Sequence, residues 1–246
     1  MLRARPIHST SRPEQWEKLL TALGLVKTEN RGGWEEYDAG SGRLALRLVA
    51  PGSPEDGTTE FSVEVGDPEE FARRTNEAAG DDSTRAELSG DPGTDGGTSC
   101  RVTGHGGFAF QAEKAAHLAG CADADPALAV VAVWFTDNST AAAETLQRIG
   151  ARYRPSPDDY DLADFTTKNG GILMVRVGQG PAHSGLGFEY TGDLEALRDR
   201  LSTAGLEASI TEEAFSRSLH VPSPDAGSPG SNQPRLWVAG RQPAES

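Results

Sequence analysis

The chain has 246 residues, of which 36% are hydrophobic and 24% are charged, so it is long enough for one large domain or two ordinary domains with a modest core. Its 29 glycines and 15 prolines argue against an architecture of long helices. The net charge of −14 argues against non-specific binding to nucleic acid or to an anionic membrane surface.

Neither a targeting segment nor a functional cysteine spacing is evident in this sequence. No apolar run approaches the roughly 20 residues of a membrane span, and the opening segment MLRARPIHST lacks the apolar stretch of a secretion signal. Cys100 and Cys121 do not have the spacing of a metal site, so we expect both to be reduced. These features predict a cytoplasmic protein.

The first half of the chain reads as alternating strands and helices. A short strand is predicted at 4–10, followed by a helix that begins near Ser11 and ends at Gly24. Alternating hydrophobicity predicts strands at 34–39, 43–50 and 60–65. A second helix is expected at 67–79, no regular structure at 80–97, and short strands at 99–103 and 107–112. A linker is expected at 119–127.

The second half repeats this order. Strands are predicted at 129–135, 160–166, 172–177, 186–190, 208–211, 218–221 and 236–239, with helices at 139–149 and 193–204. The helix ends Gly24 and Gly150 are 126 positions apart, and so are the helix starts Asp67 and Asp193. A constant offset indicates an internal repeat.

The repeated pieces carry a resemblance to a known family. IHSTSRPEQWEKLLTALGL and TEFSVEVGDPEEF in the first half, with VWFTDNSTAAAETLQRIGA and GLGFEYTGDLEAL in the second, resemble the vicinal oxygen chelate superfamily. That superfamily includes glyoxalase I, bleomycin-resistance proteins and extradiol dioxygenases. The resemblance implies an α+β fold of paired βαβββ modules. It also implies two tandem glyoxalase-like domains, 1–118 and 128–246, each enclosing a cavity.

The resemblance also implies where a metal would bind. Four strand positions supply the ligands in metal-dependent members, and in the first half these fall on His8, Arg47, Glu60 and Gln111. His8, Glu60 and Gln111 are therefore the candidate metal ligands, whereas the Arg47 guanidinium is a permanent cation that cannot coordinate one.

The corresponding positions of the second half carry Trp134, Arg176, Leu186 and Trp237. None of these side chains is a metal ligand, which argues against an extradiol dioxygenase. The modules have two possible pairings: within each half, or the first with the fourth and the second with the third. The metal hypothesis requires pairing within the halves.

An aromatic ligand is the other interpretation of the cavities. Strand alternation allows Trp134 and Trp237 to point into the second cavity, where their indoles suit a flat or apolar ligand. The same rings would equally fill a collapsed core. The accompanying candidates are Arg176, Phe188 and Tyr190, and Arg47 in the first cavity is a candidate for an anionic group of a ligand.

These patterns lead to one main functional prediction and two alternatives. The main prediction is a metal-independent protein that binds a small aromatic or amphipathic molecule, needs no cofactor and is not an enzyme. The first alternative is a glyoxalase- or isomerase-type enzyme with a divalent metal in the first domain. The second is a catalytically empty structural or partner-binding paralogue. A monomer or homodimer without nucleic-acid or membrane partners is expected.

Overall fold

The protein is described here by a computed structural model covering residues 1–80, 83–89, 98–117, 120–155, 162–212 and 217–241. Helices and short strands alternate along the chain. Up to Lys114 the elements are β1 (Leu2–Ala4), β2 (Ile7–Thr10), α1 (Pro13–Leu23), β3 (Val26–Arg31), β4 (Trp34–Asp38), β5 (Arg43–Leu48), β6 (Thr59–Glu60), β7 (Ser62–Val65), α2 (Pro68–Ala79), β8 (Arg85–Ser89), β9 (Ser99–Thr103) and β10 (Ala109–Lys114).

From Leu128 the elements are β11 (Leu128–Thr136), α3 (Ser139–Arg148), β12 (Arg152–Arg154), β13 (Leu162–Thr166), β14 (Ile172–Val177), β15 (His183–Tyr190), α4 (Leu194–Thr203), β16 (Ser209–Glu212), β17 (Arg217–Pro222) and β18 (Arg235–Gly240). None of the described helices combines the length and the hydropathy of a membrane span.

Each group of one strand, one helix and three strands forms a βαβββ module, which confirms the predicted α+β class. In the module from β2 to β5, β2 pairs in parallel with β5, while β3, β4 and β5 pair antiparallel. The same parallel pairing joins β7 to β10 and β15 to β18. A parallel pair needs a crossover connection, and in each module the helix is part of it.

The contacts divide the chain into two compact units. The first unit comprises Met1–Arg5, Glu60–Ala119 and Ala132–Gly185, and the second comprises Pro6–Thr59, Gly120–Val131 and Leu186–Ser246. The predicted ranges 1–118 and 128–246 do not coincide with these units. Each unit has its own hydrophobic core, and each core takes side chains from both halves of the sequence.

The core of the second unit is built on an apolar stripe of α1. Trp16, Leu19, Leu20 and Leu23 are all buried there, against side chains of α4, β5, β15, β17 and β18. The helix ends at Gly24, whose φ of 100° lies in the left-handed region. A Cβ at this position would also lie 2.5 Å from the Cβ of Asp125, so only glycine fits.

The segment predicted as a linker packs into the second unit. Residue 119, where that prediction begins, lies outside the described residues. The carboxylate of Asp125 accepts hydrogen bonds from the Ala127 backbone at 3.0 Å, from Arg200 at 2.9 Å and from the Tyr190 hydroxyl at 3.2 Å. The described part of this segment is therefore fixed to the body of its unit.

The core of the first unit contains a cluster of aromatic rings. Trp134 is fully buried and stacks on Phe108 with ring centroids 4.3 Å apart, and Phe61 meets Phe110 edge-on at 5.0 Å. A Cβ at Gly104 would approach Trp134 to 2.9 Å. Trp134 therefore fills a core and does not line a cavity, which is the second of the two interpretations that the sequence left open.

Candidate functional site

The carboxylate of Asp225, in the loop between β17 and β18, accepts several hydrogen bonds within the second unit. One oxygen, Oδ1, accepts bonds from the Thr10 hydroxyl at 3.0 Å and from Arg12 Nη1 at 2.9 Å. The other oxygen, Oδ2, accepts bonds from His8 Nε2 at 2.9 Å and from the Trp16 indole nitrogen at 2.5 Å. Asp225 itself is completely buried, so its charge is balanced by these four donors.

The imidazole of His8 lies between this carboxylate and a hydroxyl group. Its Nδ1 is 2.9 Å from the Thr59 Oγ1 atom, and its ring lies 4.4 Å from the Trp16 ring. Because the Asp225 carboxylate only accepts, Nε2 carries the proton in the neutral ring, and Nδ1 then accepts from the Thr59 hydroxyl. This assigns a tautomer and gives a chain of hydrogen bonds from Thr59 through His8 to Asp225.

A second buried carboxylate extends this cluster. Asp56 accepts bonds from the Ser11 backbone at 2.7 Å, from the Ser11 hydroxyl at 3.0 Å and from the Ser228 hydroxyl at 3.0 Å. Ser228 in turn accepts a bond from Arg12 at 2.5 Å. The loop that follows β17 is therefore attached to the start of α1 at two points.

Hydrogen bonding sets the ionisation of both carboxylates. Burial alone would raise the pKa of Asp225, but the bonds from His8, Trp16 and Arg12 outweigh it and lower the pKa to about 2. Burial also acts to raise the pKa of Asp56, but the hydrogen bonds from Ser11 and Ser228 outweigh it and lower the pKa. Both groups are therefore anionic at neutral pH.

A different surface of the second unit carries a tryptophan ring beside a histidine. On β18, Trp237 is half-buried and is the register partner of His220 on β17. The His220 Nε2 atom lies 2.9 Å from the Ser218 hydroxyl. These three side chains lie on the strand face opposite the core, since the alternate residues Leu219 and Val238 belong to the core.

The indole of Trp237 lies against the backbone of β15 at Gly187. A Cβ on Gly187 would lie 2.3 Å from Trp237 Cζ2 and 2.5 Å from Cε2. A real Cβ cannot approach ring atoms so closely, so the ring rests where a side chain would otherwise stand. Glycine at this position is what allows the indole to lie on the strand.

We therefore expect Gly187→Ala to displace the Trp237 ring. The Trp237 signal in near-UV circular dichroism is the difference between the spectra of the protein with and without Trp237→Phe, and we expect Gly187→Ala to change this signal. We also expect Gly187→Ala to lower the free energy of unfolding by about 1–3 kcal/mol. Gly227→Ala is the matched control, because no atom lies within 4 Å of the added Cβ. Equal spectra for the two glycine variants would refute the packing described above.

The predicted metal ligands are divided between the two units. His8 belongs to the second unit, lies on the core side of β2 beside Leu46, and has both ring nitrogens engaged. Glu60 and Gln111 belong to the first unit, where Glu60 is exposed and Gln111 is half-buried. Within the described ranges, no group of three or more His, Cys, Asp or Glu side chains is placed to hold a metal. The described residues therefore do not fit a metal centre.

The other predicted ligand-binding residues have ordinary structural partners. Arg176 Nη1 is 2.7 Å from the Asp164 carboxylate, and the Arg47 guanidinium lies 6.0 Å from the Trp34 ring centroid. Phe188 and Tyr190 pack in the core of the second unit, on the opposite strand face from Trp237. Of the predicted aromatic residues, Trp237 is the one that the structure leaves on a candidate binding surface.

The sequence did not point to Asp225, Asp56, Ser228 or Thr59. These residues lie in or next to loops that show no hydrophobic periodicity, and a single buried carboxylate leaves no mark on a pattern of strands. The available signal was a turn sequence, Ser223-Pro-Asp, directly after β17. It predicts a turn and gives no indication that the aspartate points inward.

Comparisons with known proteins bear on the fold. No family model matches the sequence, and no curated protein matches it. Solved structures do match: homoprotocatechuate 2,3-dioxygenase from Arthrobacter globiformis is 17% identical with a TM-score of 0.61, over 97% of this chain and 78% of that one. The chain has the vicinal oxygen chelate fold. A mutant of the Brevibacterium fuscum enzyme matches 98% of this chain and 70% of its own, at 14% identity and a TM-score of 0.61.

The vicinal oxygen chelate neighbours overturn three predictions made from the sequence. A further match, at 13% identity, is an extradiol ring-cleaving dioxygenase, so these neighbours are enzymes and not metal-independent binding proteins. The exclusion of the extradiol class in favour of a lyase or isomerase is wrong for the same reason. The expectation of no cofactor is also wrong, because the superfamily resemblance associates the extradiol class with a metal site. The missing ligands in the second half misled the exclusion of that class, and Arg47 in the first half misled the two predictions that left out a metal.

Proposed function

We propose that the chain is an enzyme that acts on a small planar aromatic substrate bearing oxygen substituents, with oxidative ring cleavage as the first reaction to test. The supporting observation is the fold match to ring-cleaving dioxygenases, which extends over 97–98% of this chain. A soluble cytoplasmic monomer or homodimer that binds a small organic substrate is part of this proposal, and the net charge of −14 disfavours nucleic acid as a partner.

The surface around Trp237 is the proposed substrate site. A flat ring on the Gly187 backbone offers a stacking surface for an aromatic substrate. His220, beside it on β17, has its Nε2 within hydrogen-bond distance of Ser218. An imidazole in this place can bind a phenolic hydroxyl or accept its proton. The roles described here, stacking and proton acceptance, are those that Trp237 and His220 can supply.

The test is oxygen consumption. Protein produced in medium supplemented with iron and manganese is mixed with catechol, protocatechuate or homoprotocatechuate, and dissolved oxygen and product mass are measured, with the protein's metal content determined in parallel. Oxygen uptake with a ring-opened product supports the proposal. If a substrate binds without oxygen uptake, ring cleavage is excluded. If none of the three binds, the substrate class is wrong.

We expect Trp237→Ala to weaken substrate binding. Loss of one stacking partner, worth about 0.5–1.5 kcal/mol beyond buried area, predicts an increase of about 2- to 13-fold in KM or Kd. Trp34→Ala is the matched control, because Trp34 is also a half-buried tryptophan of the second unit. Equal effects of the two substitutions would exclude Trp237 from the site.

A further inference from the structure

The hydrogen-bond chain Thr59–His8–Asp225 has the arrangement of a nucleophile, a base and an orienting acid. The two distances are both 2.9 Å, and all three residues belong to the second unit. Catalytic triads are recognised by this geometry and by these roles, not by sequence position. The substrate surface around Trp237 does not use these residues.

Each of these three hydrogen-bonded residues has the environment that its role requires. Asp225 is completely buried and is held by three further donors, so it orients the imidazole firmly. His8 is 4% exposed, which protects the ring from competing water. Thr59 is half-buried, which makes it the least covered residue of the three. The hydrogen bonds therefore connect a half-buried threonine to a buried anion.

We propose that Thr59 is a nucleophile activated by the His8–Asp225 pair and that it takes an acyl group from small activated esters. Thr59 Oγ1 attacks the ester carbonyl carbon while its proton passes to His8 Nδ1. The tetrahedral intermediate collapses, the bond between the acyl carbon and the leaving oxygen breaks, and the leaving group takes the proton from His8. Water then hydrolyses the acyl-threonine by the reverse proton path and releases a carboxylic acid.

The experiment measures acylation of the full-length protein by p-nitrophenyl acetate. Nitrophenolate release is followed by absorbance, and the acetylated residue is located by peptide mass spectrometry. The expected result is one acetyl group at position 59. The Thr59→Val variant should not be acetylated there, and the Thr59→Ser variant should be. Thr58→Val is the matched control, since the neighbouring Thr58 hydroxyl donates only to the Glu55 carbonyl among the described contacts.

The base is tested separately. His8→Gln is expected to slow acylation of Thr59 by about 100-fold or more, the usual contribution of a general base. If that variant does not fold, the pH dependence of acylation in the wild-type protein takes its place. A rate of acylation that falls in acid supports a base that loses activity on protonation, with Asp225, Arg12 and Asp56 as the charged groups around His8. Labelling spread over Thr58 and other surface hydroxyls, or a rate that does not depend on pH, would overturn the proposal.

Discussion

Replacing Asp225 with asparagine is expected to lower the free energy of unfolding by about 3–5 kcal/mol, the usual cost of breaking a buried charge-paired group. The carboxylate accepts four hydrogen bonds from His8, Thr10, Arg12 and Trp16. An amide has one acceptor oxygen, and its NH2 group would face two of these donors. Chemical denaturation followed by circular dichroism measures the change. Asp193→Asn is the control, because asparagine caps an exposed helix start as well as aspartate does.

The same residue predicts how stability changes with acid. The pKa of Asp225 is lowered to about 2, below the roughly 3.9 of an unfolded aspartate, so the folded state binds this proton more weakly. Its contribution of about 2–3 kcal/mol is complete above pH 4 and is lost as the pH falls from about 4 through 2. The Asp225→Asn variant should lack this part of the acid dependence. A parallel pH profile for variant and wild type would show that the carboxylate is not stabilised as described.

Trp134→Ala is expected to cost about 3–5 kcal/mol, as large-to-small changes of buried aromatic residues do. Its ring is fully buried and stacks on Phe108. Trp134→Phe should behave differently, because the indole Nε1 is buried without a hydrogen-bond partner among the described residues. An unsatisfied buried donor costs about 1–3 kcal/mol, so removing it offsets much of the lost packing.

Urea denaturation of both Trp134 variants measures this difference. We expect the phenylalanine variant to lie within about 1–2 kcal/mol of the wild type, since the cavity cost and the relieved donor have opposite signs. Trp34→Ala serves as the control for loss of a half-buried tryptophan. A phenylalanine variant as unstable as the alanine variant would mean that the indole N–H has a partner, such as an ordered water molecule.

Much of the fold was predictable because strands and helices leave periodic patterns. The strand at 43–50 and the helix ending at Gly24 were predicted from such patterns, and Leu44, Leu46 and the apolar side chains of α1 are buried in the core. Sequence reasoning missed three strands that lie at the edges of their sheets: β3, β8 and β12. An edge strand has one neighbour and a mostly polar surface, so its sequence shows little alternation.

The candidate site was less predictable, for a different physical reason. Strand alternation gives two faces but does not say which face packs on the helix. His8 was assigned to a cavity, yet its register with Leu46 places it on the core side. Trp237 was assigned to a ligand surface and does lie opposite the core. The partner that gives His8 its chemistry, Asp225, is 217 positions away, and no local pattern connects them.

The composition of the second core has a consequence for synthesis on the ribosome. Trp16 and the other core residues of α1 share that core with Leu236 and Val238 of the last strand. Helix α1 therefore lacks part of its partner surface until β18 has left the ribosome. Until then the uncovered part of its apolar stripe is a natural contact for a nascent-chain chaperone.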